Sequence, residues 1–303
     1  MARTRFRSDR GLTLRMGGVG MGLVLLYVLF GAMLISVAGS LWVAVIITLG
    51  MAWGQWYFSD SLALKSMGAH VVTPEQAPEL HAMIDRLVAL ADMPKPRVAV
   101  AVTDMPNAFA TGRSPNHSAV CVTTGIMQRL DADELEGVLA HELAHVANRD
   151  VSVMTVASSL GLLAGFLTRW GRWFGGGSRD KNSGPAMIVV VLTRALSRYR
   201  ELSADRSGSY LPGRPSKLAS ALVKISGDMG RIPTSDLREA QSMNAFFIAP
   251  AVNGQSVQEL MSTHPSLQSR LDQLARIGAD LSARRGAWGA ATGCSAAPSR
   301  PRP

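Results

Sequence analysis

The chain has 303 residues, 47% of them hydrophobic and only 17% charged, and its formal net charge is +9. This length allows a core plus accessory segments, while the low charge content is unusual for a soluble domain. Two distant cysteines, Cys121 and Cys294, argue against a disulfide framework and a cysteine zinc cluster. Much of the basic charge lies beside apolar segments, where anionic lipid would attract it. We therefore expect a lipid bilayer as a partner, and no nucleic acid.

An uninterrupted apolar stretch follows the basic arm 1–15. No charged residue occurs between Met16 and Ser59, a run of about 44 residues, whereas one membrane-spanning helix needs about 20. The small residues at 38–40 can turn. The pattern predicts a transmembrane hairpin with helices at 16–37 and 41–58.

The arginines of the arm precede the first span, and the positive-inside rule keeps such a cluster in the cytoplasm. Two crossings then return Ser59 and all that follows to the cytoplasm. We predict a multi-pass protein of the cell membrane whose soluble part faces the cytoplasm. A cleaved signal peptide ending at Ser36-Val37-Ala38 is the alternative, but its apolar region would far exceed the usual length of about 7–15 residues.

Helix and strand patterns alternate in the next segment. Thr73, Pro74 and Gln76 form a helix-start signal, and apolar residues at helical spacing continue it to about Ala91. Valines alternating with alanines over 98–102 predict a short, largely buried strand. A second strand is predicted at Ala119–Thr124.

The chain between these strands, 106–116, is rich in proline, glycine and asparagine and is interpreted as irregular chain or an edge strand. An edge strand here could bind an extended peptide as an added strand. An ordinary connection is the alternative, and spacing alone favours it, because edge strands that bind peptides are uncommon.

Three further helices are predicted. Asp131 and Glu134 form a capping box that opens a helix through about Asn148. Pro215–Met229 and Ser266–Leu281 have helical periodicity. The remaining tail, 282–303, is rich in glycine, alanine, serine and proline and is expected to be disordered.

The first of these helices carries a metal-binding pattern. His141 and His145 are four residues apart, so both imidazoles lie on one face and can bind one tetrahedral ion. Glu142 is next to them and is placed to act as general base on a water activated by zinc. Such a site needs a third protein ligand from elsewhere in the chain.

A pair of acids further along, Glu201 and Asp205, can meet that need. They are four residues apart on one helix face, so one could bind the metal while the other holds a histidine by its second ring nitrogen. Alone, the pair would more often be surface charge among the neighbouring arginines. The pair becomes a candidate for metal binding only together with His141 and His145.

Two hydrophobic segments, 151–168 and 182–197, separate the histidines from the acids. The second has a charge-free run of only about 12 residues, or about 18 Å of helix, which is short for a 30 Å hydrocarbon core. If one segment crossed the membrane and the other did not, His145 and Glu201 would face opposite compartments. Both segments must therefore cross, or neither does.

With these residues assembled, the sequence resembles the HtpX family of membrane zinc metalloproteases over nearly its whole length, to about Leu281. The resemblance rests on the hairpin and on several motifs: Asn107–Gly112, Thr123–Gly125, His141–His145, Glu201–Asp205, and Ser262–Ser266 with Arg270.

The resemblance implies one Zn²⁺ per subunit on His141, His145 and Glu201, catalysis by Glu142, and support of a ligand by Asp205. It also implies that His264 lies near the oxyanion, that Arg270 orders the acidic side of the site, and that Asn107 contacts the substrate backbone.

The fold class expected from the resemblance is α+β and mainly helical, with the hairpin joined to a zincin-like metalloprotease domain that contains a small sheet. The domain boundaries are 1–15 for the arm, 16–58 for the hairpin, 59–281 for the protease domain and 282–303 for the tail. The implied function is quality control, in which misfolded or damaged membrane proteins are cleaved at the cytoplasmic face, with other quality-control proteases as partners. A CAAX-type prenyl-protein protease and a non-catalytic zinc-binding membrane adaptor are the alternatives.

Overall fold

The computed structural model describes residues 39–149, 183–229 and 265–292, together with scattered positions between 11 and 35. The helices are α1 (Leu41–Tyr57), α2 (Ser59–Ser66), α3 (Pro78–Ala91), α4 (Thr124–Arg129), α5 (Ala132–Ala147), α6 (Ser183–Tyr210), α7 (Pro215–Met229) and α8 (Leu267–Thr292). The strands are β1 (Ala69–Val71), β2 (Arg97–Ala101), β3 (Ala108–Ser114) and β4 (His117–Thr123). The described part of the chain is therefore mainly helical with one small sheet, as predicted.

The chain bends at Gly39 and Ser40, two of the three residues where the sequence suggested a turn. Gly39 has a φ of +65°, a conformation that favours glycine, and Ser40 is extended and accepts a hydrogen bond from the Val43 N–H to cap α1. Ala44 and Thr48 form a buried stripe on α1, and a Cβ placed on Gly31 would lie 3.5 Å from Thr48 Oγ1. Gly31 thus lies close to Thr48 of α1.

The rest of α1 is apolar and exposed. Trp42 is 74% exposed, Ile46 69% and Leu49 64%. The second predicted span, 41–58, is therefore helical, while most of the first, 16–37, lies outside the described residues. Within the described ranges, no helix is both long enough and apolar enough to cross a membrane.

Helix α3 begins at Pro78 and not at Thr73, so the predicted start was wrong. The Gln76 side chain does accept a hydrogen bond from the Thr73 N–H, as the start signal implies, but it stabilises only a turn. Proline at 78 excludes the preceding residue, Ala77, from the helical region, and Ala77 has φ −142° and ψ 65°. The helix can form only after this point.

The four strands form one mixed sheet in the order β1-β2-β4-β3. Strands β2 and β4 are parallel, and the other two pairs are antiparallel. Both predicted strands are confirmed, with β4 ending at Thr123, whose hydroxyl accepts a hydrogen bond from the Ile126 N–H and so caps α4. The uncertain segment between them contains an edge strand, β3.

The main core lies between the sheet and helices α3, α5 and α7. It contains Ile84 and Leu87 of α3, Val120 of β4, Leu139 of α5 and Leu222 of α7, none more than 1% exposed. A smaller cluster on the other face of the sheet packs against α2. Helix α5 is thereby buried along nearly its whole length, which fixes the histidines it carries.

The predicted helix 215–229 is confirmed as α7, whereas α8 continues beyond Leu281 to Thr292. The tail predicted to be disordered therefore overlaps a helix as far as residue 292. Hydrophobic segment 151–168 lies outside the described residues. The second segment, 182–197, belongs from Ser183 onward to α6, the same continuous helix that carries Glu201.

Candidate metal centre

The helix with the two histidines begins at a complete capping box. Asp131 Oδ1 accepts a hydrogen bond from the Glu134 N–H at 2.8 Å, and Glu134 Oε2 accepts one from the Asp131 N–H at 3.0 Å. His141 and His145 then fall on one face a turn apart, and both are buried. The predicted helix and cap are confirmed.

A glycine brings α6 onto α5. A Cβ on Gly208 would lie 2.8 Å from both the Cα and the N of His141, so no residue with a side chain fits without displacing a backbone. This close approach places Glu201, two turns earlier on α6, beside the histidines. Gly208 was missed from the sequence, although an isolated glycine inside a helical pattern is a signal for close packing.

The three predicted ligand residues converge. The two histidine Nε2 atoms are 3.2 Å apart, Glu201 Oε2 is 3.4 Å from Nε2 of His141, and Glu201 Oε1 is 3.5 Å from Nε2 of His145. Two ligand atoms bound at about 2.0–2.1 Å to a tetrahedral zinc ion lie about 3.3–3.4 Å apart. The side chains therefore fit one such ion, and among the described residues they form the one His/Cys/Asp/Glu group able to hold a metal.

Asp205 supports His141 from the opposite side of its ring. Asp205 Oδ1 is 2.9 Å from Nδ1 of His141, which leaves Nε2 facing the other ligands. Burial works to lower the pKa of His141, but the Asp205 and Glu201 carboxylates outweigh it and raise the pKa to about 9. The two carboxylates therefore favour positive charge on this side of the site.

Arg270 of α8 completes the acidic side. Its Nε and Nη2 donate to the two oxygens of Asp205 at 2.7 and 2.6 Å, and its Nη1 is 3.8 Å from Glu201 Oε2. Burial would raise the pKa of Asp205, but the charge and hydrogen bonds of Arg270 outweigh it and hold that pKa below its ordinary value. Gln273 anchors α8 by donating to the Leu202 carbonyl at 2.7 Å. Arg270 thus contacts both acids, and its role in ordering them stays a prediction.

Glu142 is buried and faces the edge strand. Its Oε2 accepts a hydrogen bond from the Ala110 N–H of β3 at 2.9 Å. Burial raises the pKa of the Glu142 carboxyl above its ordinary value. The role of the Ala110 N–H was not predicted, because a backbone donor leaves no signal in residue type.

Asn107 lies just before β3 and is fully buried. Its N–H donates to Thr123 Oγ1 at 2.9 Å, and its carbonyl accepts from the Thr123 N–H, which ties the strand to β4. The predicted contact of Asn107 with substrate stays a prediction. His264 lies outside the described residues.

Two histidines and a glutamate at ligand spacing, with a buried glutamate beside them, define a metallopeptidase. The chain matches the model of peptidase family M48 over residues 74–277. It belongs to this family and is a metalloendopeptidase, which favours the catalytic interpretation over the non-catalytic adaptor.

Relatives with the name HtpX match over most of the chain. A "Protease HtpX homolog 1" from Streptomyces coelicolor is 52% identical over 294 residues, covering 92% of this chain and 96% of that protein. A "Protease HtpX homolog" from Moorella thermoacetica is 51% identical over 299 residues, covering 93% of this chain and all of that protein. The predicted HtpX membership is confirmed, and it supports location at a membrane.

The fold also resembles the crystal structure of S. mikatae Ste24p, with a TM-score of 0.51 and 19% sequence identity. The match covers 87% of this chain and 64% of that one. This likeness shows a shared fold. It confirms the predicted metalloprotease architecture and leaves the prenyl-protein protease alternative as a prediction.

Proposed function

We propose that this protein is a membrane-bound, zinc-dependent endopeptidase that cleaves misfolded or damaged membrane proteins at the cytoplasmic face. The observation that carries the proposal is the tetrahedral spacing of His141, His145 and Glu201, with the carboxylate of Glu142 beside them. Three protein ligands leave one position of a tetrahedral ion for water, as catalytic zinc sites require.

In this proposal one zinc ion per subunit is held by the three ligands. When bound, it supplies a Lewis acid that activates water at neutral pH and polarises the scissile carbonyl. Asp205 fixes the tautomer and orientation of His141, and Arg270 in turn orients Asp205 through two parallel hydrogen bonds. The acidic side of the site is therefore rigid before substrate binds.

Glu142 is the general base, and it later passes the proton to the leaving amine. The Ala110 N–H holds Oε2 of this carboxylate, and we assign the proton transfer to Oε1. His264 stabilises the oxyanion, for which a hydrogen-bond donor is needed as negative charge develops. Asn107 helps to align the substrate backbone at the edge strand.

Membrane attachment is assigned to the hairpin 16–58, with the active site in the cytoplasm and segments 151–168 and 182–197 on the same side or crossing together. Support comes from the exposed apolar surface of α1 and from the packing of Gly31 against Thr48. The arginine-rich arm supports the orientation.

The test uses full-length wild type and Glu142→Gln, purified in detergent and reconstituted in liposomes with a destabilised single-span membrane protein. Glu142→Gln removes the base but leaves the ligands, so we expect one zinc per chain in both proteins and cleavage only by the wild type. His145→Ala is the matched control and should lose the metal as well. Full activity of Glu142→Gln, or a wild type that retains zinc but cleaves no protein, contradicts the proposal.

A further inference from the structure

An exposed aromatic cluster marks the end of α1. Trp53 is 59% exposed, Trp56 43%, Tyr57 40% and Phe58 55%. Trp53 and Tyr57 stack with their ring centroids 5.0 Å apart. Amphipathic rings gather where hydrocarbon meets water, and this cluster follows an apolar helix and precedes Asp60, the first acidic residue after it. We infer that the cluster lies at the membrane interface.

One side chain of the edge strand reaches this cluster. Arg113 Nη1 donates to the Tyr57 carbonyl at 3.1 Å. Its guanidinium carbon also lies 4.5 Å from the centroid of the Tyr57 ring and 5.8 Å from that of Trp56. Both distances are within the range of cation–π attraction. Arg113 therefore holds the end of α1 by a hydrogen bond and by two ring faces.

A β-bulge directs Arg113 away from the sheet. Gly112 pairs with Ser118 and Ser114 pairs with His117, so Arg113 is the extra residue of β3. Gly112 has a φ of +145°, and a Cβ there would lie within 2.4 Å of the His117 carbonyl, so only glycine permits this bend. Bulges of this kind redirect a side chain at a sheet edge.

The same strand holds the catalytic base. Ala110, whose N–H binds Glu142, is three residues before Arg113, a distance of about 10 Å along an extended strand. A second contact joins the sheet to the helix that follows α1, since Arg97 of β2 pairs with the buried Asp60 of α2 at 2.5 Å. The aromatic cluster and the base are thus joined through one short, hydrogen-bonded strand.

We propose that Arg113 is a positioning residue that fixes the height of edge strand β3, and with it the active site, relative to the membrane interface at Trp56 and Tyr57. Its consequence is selectivity for substrate chains emerging from the bilayer. A soluble peptide can approach the site from water, so its cleavage does not depend on that height. The inference rests on the proposed function and concerns how the same site meets its substrate.

The experiment compares Arg113→Ala with wild type in liposomes, using two substrates of the same cleaved sequence. One is a soluble fluorogenic peptide, and the other carries that peptide directly after a single membrane span. We expect Arg113→Ala to lower kcat/KM for the anchored substrate about tenfold or more, since misplacement by about 1 Å can cost 100-fold. For the soluble peptide, kcat/KM should stay within about twofold, because the contacts at the site remain.

Two variants test the cause. Tyr57→Leu removes the ring but leaves the carbonyl that Arg113 binds, so it should lower only anchored cleavage and by less. Arg113→Lys keeps the cation near the rings and should restore part of it. Arg129→Ala is the control for losing a partly buried arginine, because Arg129 belongs to α4 and donates to the Asp104 and Gly125 carbonyls. Arg129→Ala should change kcat/KM for the soluble and the anchored substrate to the same extent.

Equal loss of both activities in Arg113→Ala would show a purely structural role, and no loss would show no role; either result overturns the inference. If Arg113→Ala does not fold, Tyr57→Leu decides, and unchanged anchored cleavage in that variant also overturns it. Failure of wild type to cleave either substrate would instead contradict the proposed function. The two failures are therefore distinguishable.

Discussion

Gly208→Ala is the sharpest test of how the site is assembled. The added Cβ would lie 2.8 Å from the Cα and N of His141 and 3.0 Å from the carbonyl carbon of Ala140. These are backbone atoms of a buried helix and cannot rotate away. Ordinary contact begins near 3.4 Å, so α6 must move from α5 by about 0.6 Å, an overpacking strain that costs about 1–3 kcal/mol.

That movement opens the metal centre, because Glu201 and Asp205 are on α6 while both histidines are on α5. A separation of about 0.6 Å is a large part of the 1 Å that can cost about 100-fold in rate, so we expect activity to fall by on the order of tenfold or more. Zinc affinity should fall with it, since the ligand spacing no longer fits a tetrahedron.

The matched control is Gly227→Ala in α7, where a Cβ meets nothing within 4 Å. Alanine gains up to about 1 kcal/mol over glycine in a helix, so this variant should be as stable as wild type or more so, with full activity. The measurements are denaturant unfolding in detergent, zinc retention against a chelator series, and peptide hydrolysis. If Gly208→Ala behaves like Gly227→Ala in all three, the close packing of α6 on α5 is wrong.

Two further predictions concern the rest of the fold. Glu134→Gln should lower the free energy of unfolding by about 1 kcal/mol, because the buried carboxylate joins the cap of α5 to α7. The hydrogen bonds from Lys224 and Ser220 outweigh burial and hold the pKa of Glu134 below its ordinary value, so the difference in stability from wild type should be full above about pH 5 and shrink as pH falls. The control Asp133→Asn should change stability little. Burial raises the pKa of the Cys121 thiol to about 12. In a Cys294→Ser variant, where Cys121 is the remaining cysteine, the native protein should therefore resist alkylation at pH 8 and react only when it is unfolded. Rapid labelling of the native protein would contradict the burial of Cys121.

Local signals predicted the elements well where the local chain decides them. The capping box at Asp131 predicted the start of α5, and the spacing of His141 and His145 predicted a candidate metal site, because both signals depend on residues within one or two turns. The start of α3 was misplaced since Pro78 overrides an acceptable signal at Thr73. The weight of a local signal therefore depends on what the next few residues permit.

Features that depend on tertiary contacts were harder to predict from the sequence than the local elements. For segment 106–116 the sequence left irregular chain and an edge strand as alternatives, because the pairing of β3 with β4 is non-local and the bulge at Gly112 breaks any alternation. The hydrogen bond from the Ala110 N–H to Glu142 could not be predicted either, because almost any residue type supplies a backbone N–H. Sequence identifies the groups that carry the chemistry more readily than the backbone that positions them.

The continuity of α6 bears on the constraint that segments 151–168 and 182–197 cross the membrane together or not at all. This helix runs unbroken from Ser183 to Tyr210, a length of about 42 Å at 1.5 Å per residue. Its first part is the second hydrophobic segment, and its last part carries Glu201 and the glycine that packs on His141. A rigid helix transmits any tilt of its first part to its last. If that segment lies at the membrane, as proposed, we expect its depth and tilt to act directly on Glu201, while the proposed action of Arg113 comes from the other side of the site through β3.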